Sequence, residues 1–254
     1  MPYVHVADLR IHYQEAGQGA PLVLLHGSTG VIARHWLPQL AGLSPYCRVI
    51  ALDLRGHGRT NNPAGALDFR QMADDVAGFG AALGLARYHL CGFSLGAVLG
   101  LYLALAHPDR VASLILVGAC YEVAGSTLAR GDTFVPEKIE REDPEWAAAL
   151  KANHATVYGP EYWRTLCEQL SVAWTRQPDL RRDDLRRIHC PTLVARGDRD
   201  EVMALEQSLD LWREIPGAEL FLAPGAPHMF HTERASLFNL VALDFLRRRA
   251  GLGQ

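Results

Sequence analysis

Apolar and polar residues alternate at the start of the chain, and further along this pattern gives way to runs that are apolar throughout. The stretch "YVHVADLRIHYQEAG" alternates and ends in glycine, which predicts two short strands with a turn near Asp8. Apolar runs follow as "PLVLLHG", "CRVIALDLRGHG", "YHLCGFSLG" and "VASLILVGAC". Runs of this kind are typical of parallel strands that are covered on both faces of the sheet.

Helical patterns separate these runs. Apolar residues recur at helical spacing in "FRQMADDVAGFGAALGL", and Asp68 just before it is a candidate N-cap. The stretch "AVLGLYLALAHPDR" predicts a second helix that stops at Pro108. Because strands and helices alternate, we expect an α/β protein with a doubly wound, mostly parallel sheet.

The alternation breaks at Glu122 and resumes near residue 188. Residues 122–143 are rich in loop-forming residues, and two amphipathic helices follow. Their apolar faces contain Trp146, Leu150, His154 and Val157 in the first helix, and Trp163, Leu166, Leu170 and Trp174 in the second. Strand patterns return in "PTLVA" and "ELFLA", and a helical pattern closes the chain. We therefore expect a core of residues 1–121 and 188–254, with residues 122–187 as a helical insert.

Composition narrows the class of protein. The 254 residues carry a formal net charge of −3, and no basic block indicates nucleic-acid binding. The five cysteines are scattered without a C-x-x-C pair, which favours reduced thiols and a cytoplasmic protein. No signal-peptide pattern is visible, and no apolar stretch reaches the roughly 18 residues of a membrane span. No feature of the sequence indicates an oligomeric state.

The stretch "CGFSLGAVLG" contains a candidate nucleophile. It fits G-x-S-x-G at Gly92, Ser94 and Gly96, between an apolar strand and a helix. The two glycines allow a sharp turn that exposes the Ser94 hydroxyl, and the backbone N–H of Leu95 points to the same place. The alternative is an ordinary helix-capping serine, which the strand–turn–helix context disfavours.

With this motif in place, the chain is identified as a member of the α/β-hydrolase fold superfamily, in its capped serine esterase and lactonase-like group. The resemblance is strong over residues 21–121 and 188–246 and weak over the insert. It implies an eight-stranded sheet, a helical cap after the sixth strand, and catalysis without a cofactor or metal. In the family, the residue after His-Gly supplies the second oxyanion N–H, which here is Ser28.

The resemblance also implies the other two catalytic residues. In "RGDRDEV" the family's G-x-x-D pattern selects Asp200 as the acid. Asp198 is more typical of a loop-shaping residue, and Asp198 and Glu122 are the two alternatives for the acid. His228 lies five residues before Glu233, as in the family, although Pro227 replaces the usual glycine. His231 is left with a surface or packing role. The pair His228 and His231 lacks the H-E-x-x-H spacing of a metal site.

Further residues are predicted by position. In "DLRGHGRT" we expect Asp53 and Arg55 to pair and His57 to be a loop residue. Aromatic side chains near the nucleophile and in the insert either pack the core or line an apolar pocket. The candidates for substrate binding are Trp36, Phe93, Trp146 and Trp163.

The predicted function is hydrolysis of a small to medium carboxylic ester or lactone through an acyl-enzyme. Carbon–carbon bond hydrolysis, thioester hydrolysis, acyl transfer and perhydrolysis use the same triad and are the alternatives. A ligand-binding receptor on the same fold is disfavoured because a receptor has no need of all three catalytic residues. The expected partner is a small-molecule substrate alone.

Overall fold

A single eight-stranded sheet runs through the protein. The computed structural model describes residues 2–251. Its strands are β1 (Tyr3–Val6), β2 (Leu9–Ala16), β3 (Pro21–Leu25), β4 (Arg48–Leu52), β5 (Tyr88–Phe93), β6 (Val111–Val117), β7 (Thr192–Gly197) and β8 (Glu219–Ala223). They lie in the order β1-β2-β4-β3-β5-β6-β7-β8. Only the β1–β2 and β2–β4 pairs are antiparallel. The predicted mostly parallel sheet is confirmed.

Eleven α-helices within residues 2–251 accompany the sheet. They are α1 (Ile32–His35), α2 (Leu37–Leu43), α3 (Phe69–Ala82), α4 (Leu95–Ala106), α5 (Pro136–Glu142), α6 (Pro144–Tyr158), α7 (Tyr162–Trp174), α8 (Arg182–Leu185), α9 (Leu205–Glu214), α10 (Phe230–Glu233) and α11 (Ala235–Ala250). Asp68 caps α3 as predicted, since its side chain accepts a hydrogen bond from Gln71 N at 3.0 Å. None of the helices within these residues combines the length and apolar character needed to cross a membrane.

Alternate residues of each central strand belong to two separate apolar cores. In β3, Val23 and Leu25 pack on the side of α3 and α4, whereas Leu22 and Leu24 pack on the side of α2 and α11. Because successive side chains of a strand point to opposite faces, a strand covered on both faces must be apolar at every position. This is why the central strands read as continuous apolar runs.

The segment between β6 and β7 is helical, as expected, but it holds more helix than the sequence predicts. Helix α5 lies where a loop was expected. The reason is its composition: "PEKIERE" has one internal apolar residue, Ile139, so it shows no helical stripe. Apolar residues of α6 and α7, such as Leu150 and Leu166, belong to the same core as α3 and α4.

The predicted Asp53–Arg55 pair is wrong. Arg55 donates to Asp75 instead, with Nε 2.7 Å from Oδ2, and Asp53 Oδ2 lies 2.8 Å from His12 Nδ1. A second Asp53 oxygen accepts from Ile32 N at 3.0 Å, so this carboxylate joins β2 to the start of α1. The five cysteines are unpaired thiols, as predicted.

Candidate active site

Ser94 lies at a strained turn between β5 and α4. Its φ of 53° and ψ of −115° are unusual for a residue with a side chain. A Cβ on Gly92 would collide with the backbone of Gly96, and a Cβ on Gly96 would collide with the backbone of Leu25. The two glycines of G-x-S-x-G are therefore required by backbone packing, and the turn lifts Ser94 to the end of the sheet.

His228 and Asp200 are joined by a hydrogen bond. Nδ1 of His228 lies 2.8 Å from Oδ2 of Asp200, whose side chain is fully buried. Burial alone would raise the pKa of Asp200, but the hydrogen bond from His228 and those from Met203 N and Val202 N hold it below its ordinary value. Because the ionised carboxylate can only accept, the hydrogen of this bond sits on Nδ1, so that in the neutral form of the ring Nε2 is an acceptor.

The alternative candidates lie elsewhere. Glu122 accepts a hydrogen bond from Gln207 Nε2 at 3.0 Å. Asp198 accepts from Ala226 N at 3.2 Å, which is the loop-shaping role expected for it. His231 is buried against Phe93 and Trp36, with ring centroids 4.2 and 4.9 Å away, so it has the packing role. Burial, together with the nearby His228, lowers the pKa of His231 to about 3.

Gly118, directly after β6, is a site residue that sequence reasoning missed. A Cβ at this position would lie 2.8 Å from Cε1 of His228 and 3.3 Å from Oδ2 of Asp200. Its φ of +57° is also one that glycine adopts readily. The sequence feature that could have revealed it is a glycine at the end of a predicted strand, next to the strand that leads to Ser94.

Pro227 stands at the start of the turn that carries His228. Its carbonyl accepts a hydrogen bond from Phe230 N at 3.2 Å, which places His228 and Met229 in the two central positions. The departure from the family's glycine is therefore accommodated in an ordinary turn.

The two predicted oxyanion residues lie beside Ser94. Leu95 is the first residue of α4, so its N–H has no acceptor within the helix. Gly27 lies so close to the nucleophile that a Cβ on it would come within 3.3 Å of Ser94 Cβ. Ser28 follows Gly27 and lines the same cavity as Ser94.

Four buried histidines hold the loop of residues 26–29. Nδ1 of His26 lies 2.8 Å from Gly27 O, and Nδ1 of His35 accepts from Gly27 N at 3.1 Å. Nε2 of His57 is 2.5 Å from Ser28 O, and Nε2 of His154 is 3.2 Å from Thr29 O. We call His26, His35, His57 and His154 the histidine bracket. Its members come from three separate parts of the chain and from α6, so no local pattern in the sequence predicts it.

The four bracket histidines have pKa values below the ordinary value of 6.5. Burial is the main cause, and it lowers the pKa of all four, to about 3 for His154. At His154, Nδ1 accepts from Gly58 N at 2.9 Å while Nε2 donates to Thr29 O. A neutral ring offers one donor and one acceptor, and this site uses both. His57 differs, because both of its ring nitrogens face carbonyl oxygens, those of Arg55 and Ser28.

A cavity of about 650 Å³ opens beside Ser94 and His228. The insert contributes five of its wall residues that are not charged: Leu128, Thr133, Phe134, Trp146 and Ala149. Phe93, Val202 and Met229 add apolar surface from the rest of the chain, and Arg34, Asp143, Glu145 and Glu201 add charged groups.

Of the four predicted substrate-binding residues, two line this cavity and two do not. Phe93 and Trp146 are in its wall. Trp36 is fully buried beside His231, and Trp163 packs among α5, α6 and α7 next to a separate cavity of about 240 Å³. The prediction is corrected for Trp36 and Trp163, because both rings are buried in the apolar cores and neither lines this cavity.

Within residues 2–251, no group of three or more His, Cys, Asp or Glu side chains is arranged to hold a metal ion.

The chain is similar to known hydrolases over most of its length. The sequence profile of the alpha/beta hydrolase family matches residues 22–239. The putative carbamate hydrolase RutD of Azorhizobium caulinodans is 28% identical, over 96% of this chain and 98% of that protein. The serine hydrolase BPHL of Homo sapiens is 29% identical, over 96% and 85%. The crystal structure of the enol-lactonase from Burkholderia xenovorans LB400 superposes with a TM-score of 0.77 at 29% identity, covering 97% of this chain and 100% of that one.

Proposed function

Because the chain belongs to the alpha/beta hydrolase family and is a hydrolase, we propose that it cleaves a carboxylic ester or lactone through an acyl-enzyme on Ser94. Asp200 and His228 complete the triad, and the N–H groups of Ser28 and Leu95 form the oxyanion hole. Residues 122–187 act as a cap that supplies part of the substrate pocket.

The positions of the hydrogens in the site determine how protons move during acylation. Nε2 of His228 accepts the hydroxyl proton as Ser94 Oγ attacks the carbonyl carbon. Asp200 stabilises the imidazolium that forms, and the two backbone N–H groups bind the oxyanion. When the intermediate collapses, the C–O bond to the leaving alcohol breaks and His228 returns its proton to that oxygen.

Deacylation repeats the same steps with water. His228 takes a proton from water as the water oxygen attacks the acyl carbon. The second tetrahedral intermediate then expels Ser94 Oγ, which takes the proton back from His228. In a lactone the alcohol and the acid belong to one molecule, so the product is a single hydroxy acid.

The cavity supports a substrate of small to medium size. Its volume of about 650 Å³ lies in the range of ligand pockets, and apolar residues such as Phe134 and Trp146 suit a hydrocarbon portion. The names of two relatives, a serine hydrolase and an enol-lactonase, agree with ester and lactone chemistry.

The observation that carries this proposal is that His228, which lines the cavity containing Ser94, donates a 2.8 Å hydrogen bond to the buried Asp200. The test is hydrolysis of p-nitrophenyl acetate and butyrate, with lactones and thioesters screened in parallel. We expect turnover of esters or lactones by the wild-type enzyme and none by Ser94→Ala. Near-normal turnover by Ser94→Ala would sink the proposal.

A further inference from the structure

The side chain of Ser28 has a chemical role that its backbone position does not require. Nε1 of Trp174, at the end of α7, donates a hydrogen bond to Ser28 Oγ at 2.9 Å. Indole nitrogen is a donor only, so the Ser28 oxygen must be the acceptor. The hydrogen of the Ser28 hydroxyl is therefore not used in this contact.

The hydrogen of the Ser28 hydroxyl remains available to another acceptor. Across residues 2–251, the bond from Trp174 is the one hydrogen bond in which Ser28 Oγ takes part. Ser28 is only 7% exposed, and it lines the cavity that also contains Ser94. The free O–H is thus available to a group bound beside the nucleophile.

The position of Ser28 is fixed from three sides. Its neighbour Gly27 lies against Ser94, its carbonyl meets Nε2 of His57, and its hydroxyl meets Trp174. Trp174 is itself fully buried and packs edge-on against Phe69, with ring centroids 5.2 Å apart. A donor held this rigidly before the reaction starts needs no reorganisation when charge develops.

We propose that the Ser28 hydroxyl is a third donor to the oxyanion, alongside the N–H groups of Ser28 and Leu95, and that Trp174 of the insert orients it. This inference rests on the proposed function. It makes Ser28 a catalytic residue through its side chain as well as its backbone. Trp174 becomes a positioning residue, through which the insert contributes to catalysis.

Ser28→Ala is the primary test, because it removes the hydroxyl and keeps the backbone N–H. We expect kcat for p-nitrophenyl butyrate to fall by about 10², with little change in KM, since the lost interaction forms only in the transition state. Binding of a trifluoromethyl ketone, which forms a tetrahedral adduct with the serine, should weaken by a similar factor. Ser28→Thr retains a hydroxyl and should recover most of kcat.

Trp174→Phe separates a catalytic effect from a structural one. Ser28→Ala leaves the buried indole N–H without an acceptor, which lowers stability. The double variant Ser28→Ala, Trp174→Phe removes that orphan donor, so its melting temperature should rise above that of Ser28→Ala while kcat stays as low. Trp174→Phe alone should lower kcat several-fold.

Two results would overturn the inference. One is wild-type kcat in Ser28→Ala, and the other is recovery of kcat together with stability in the double variant. Both presuppose wild-type turnover that Ser94→Ala abolishes. If that turnover is missing, the proposed function fails and takes this inference with it, so the two failures can be told apart.

Discussion

At the scale of single residues, the site depends as much on absent side chains as on reactive ones. Gly92 and Gly96 allow the turn that presents Ser94, Gly27 brings the oxyanion loop against it, and Gly118 leaves space for the pair of His228 and Asp200. The reactive residues are then held by hydrogen bonds from buried neighbours. Under the proposed function, a conservative substitution at any of these contacts should lower activity or stability by a measurable amount.

Asp200→Asn should lower kcat by on the order of 10⁴, by analogy with serine proteases. The amide can donate to Nδ1 of His228, which favours the tautomer whose Nε2 carries hydrogen and cannot accept the Ser94 proton. Steady-state hydrolysis of a p-nitrophenyl ester measures the effect. Asp198→Asn and Glu122→Gln are the matched controls and should keep most of the activity. A larger loss in Glu122→Gln than in Asp200→Asn would show that the acid has been misassigned.

At the scale of elements, the strands and main helices were predictable because their apolar patterns are dictated by burial on one face or two. The contacts between distant elements were not. The histidine bracket joins α1, α6 and the loop after β4 to the loop after β3, and no periodicity reveals such a contact. For the same reason, the sequence does not reveal that Arg55 pairs with Asp75 rather than with Asp53.

The insert, too, can be predicted only in part from its sequence. The apolar faces of α6 and α7 follow from their helical spacing, but α5 is nearly all polar and shows no such spacing. Which aromatic residues face the cavity depends on how these helices rotate against the core. Trp146 faces it, Trp163 does not, and Trp174 contacts Ser28. A helical pattern identifies a buried face but not the neighbour that buries it.

The end of β6 offers a test of how the core shapes the site. Gly118→Ala introduces a Cβ against His228, and we expect kcat/KM to fall by about 10², because a misplacement of about 1 Å can cost that much. Gly84→Ala is the control, since Gly84 also has a positive φ, +70°, but has open space where its Cβ would lie. Both should lose stability, by roughly 1 kcal/mol for the backbone strain. Equal kcat/KM in the two variants would contradict the role given to Gly118.

At the scale of the whole molecule, an unusual amount of buried imidazole surrounds one end of the sheet. The histidine bracket and His231 are each at most 4% exposed. Burial lowers the pKa of all five below the ordinary value of 6.5. The folded protein therefore protonates these rings less readily than the unfolded chain does.

Stability should accordingly fall with acidification. Below pH 6.5 the unfolded chain binds more protons than the folded one, so the free energy of unfolding decreases as pH falls. For His154 and His231 this continues to about pH 3. Each such histidine contributes a slope of up to about 1.4 kcal/mol per pH unit. Above pH 6.5 this contribution is constant.

Urea unfolding at a series of pH values between 7.5 and 5 measures this slope. His231→Phe removes one such group from an apolar site beside Phe93 and Trp36, so its slope should be smaller by about one proton. Equal slopes in wild type and His231→Phe would contradict the account of the buried histidines.

The proposed function depends most directly on a covalent acyl-enzyme at Ser94. Wild-type enzyme is mixed with p-nitrophenyl butyrate, quenched in acid within its first turnovers, digested, and analysed by mass spectrometry. We expect a butyryl group on the peptide that contains Ser94, and none in Ser94→Ala. Full ester hydrolysis by the wild type with no acyl adduct, together with retained turnover in Ser94→Ala, would contradict the proposed function.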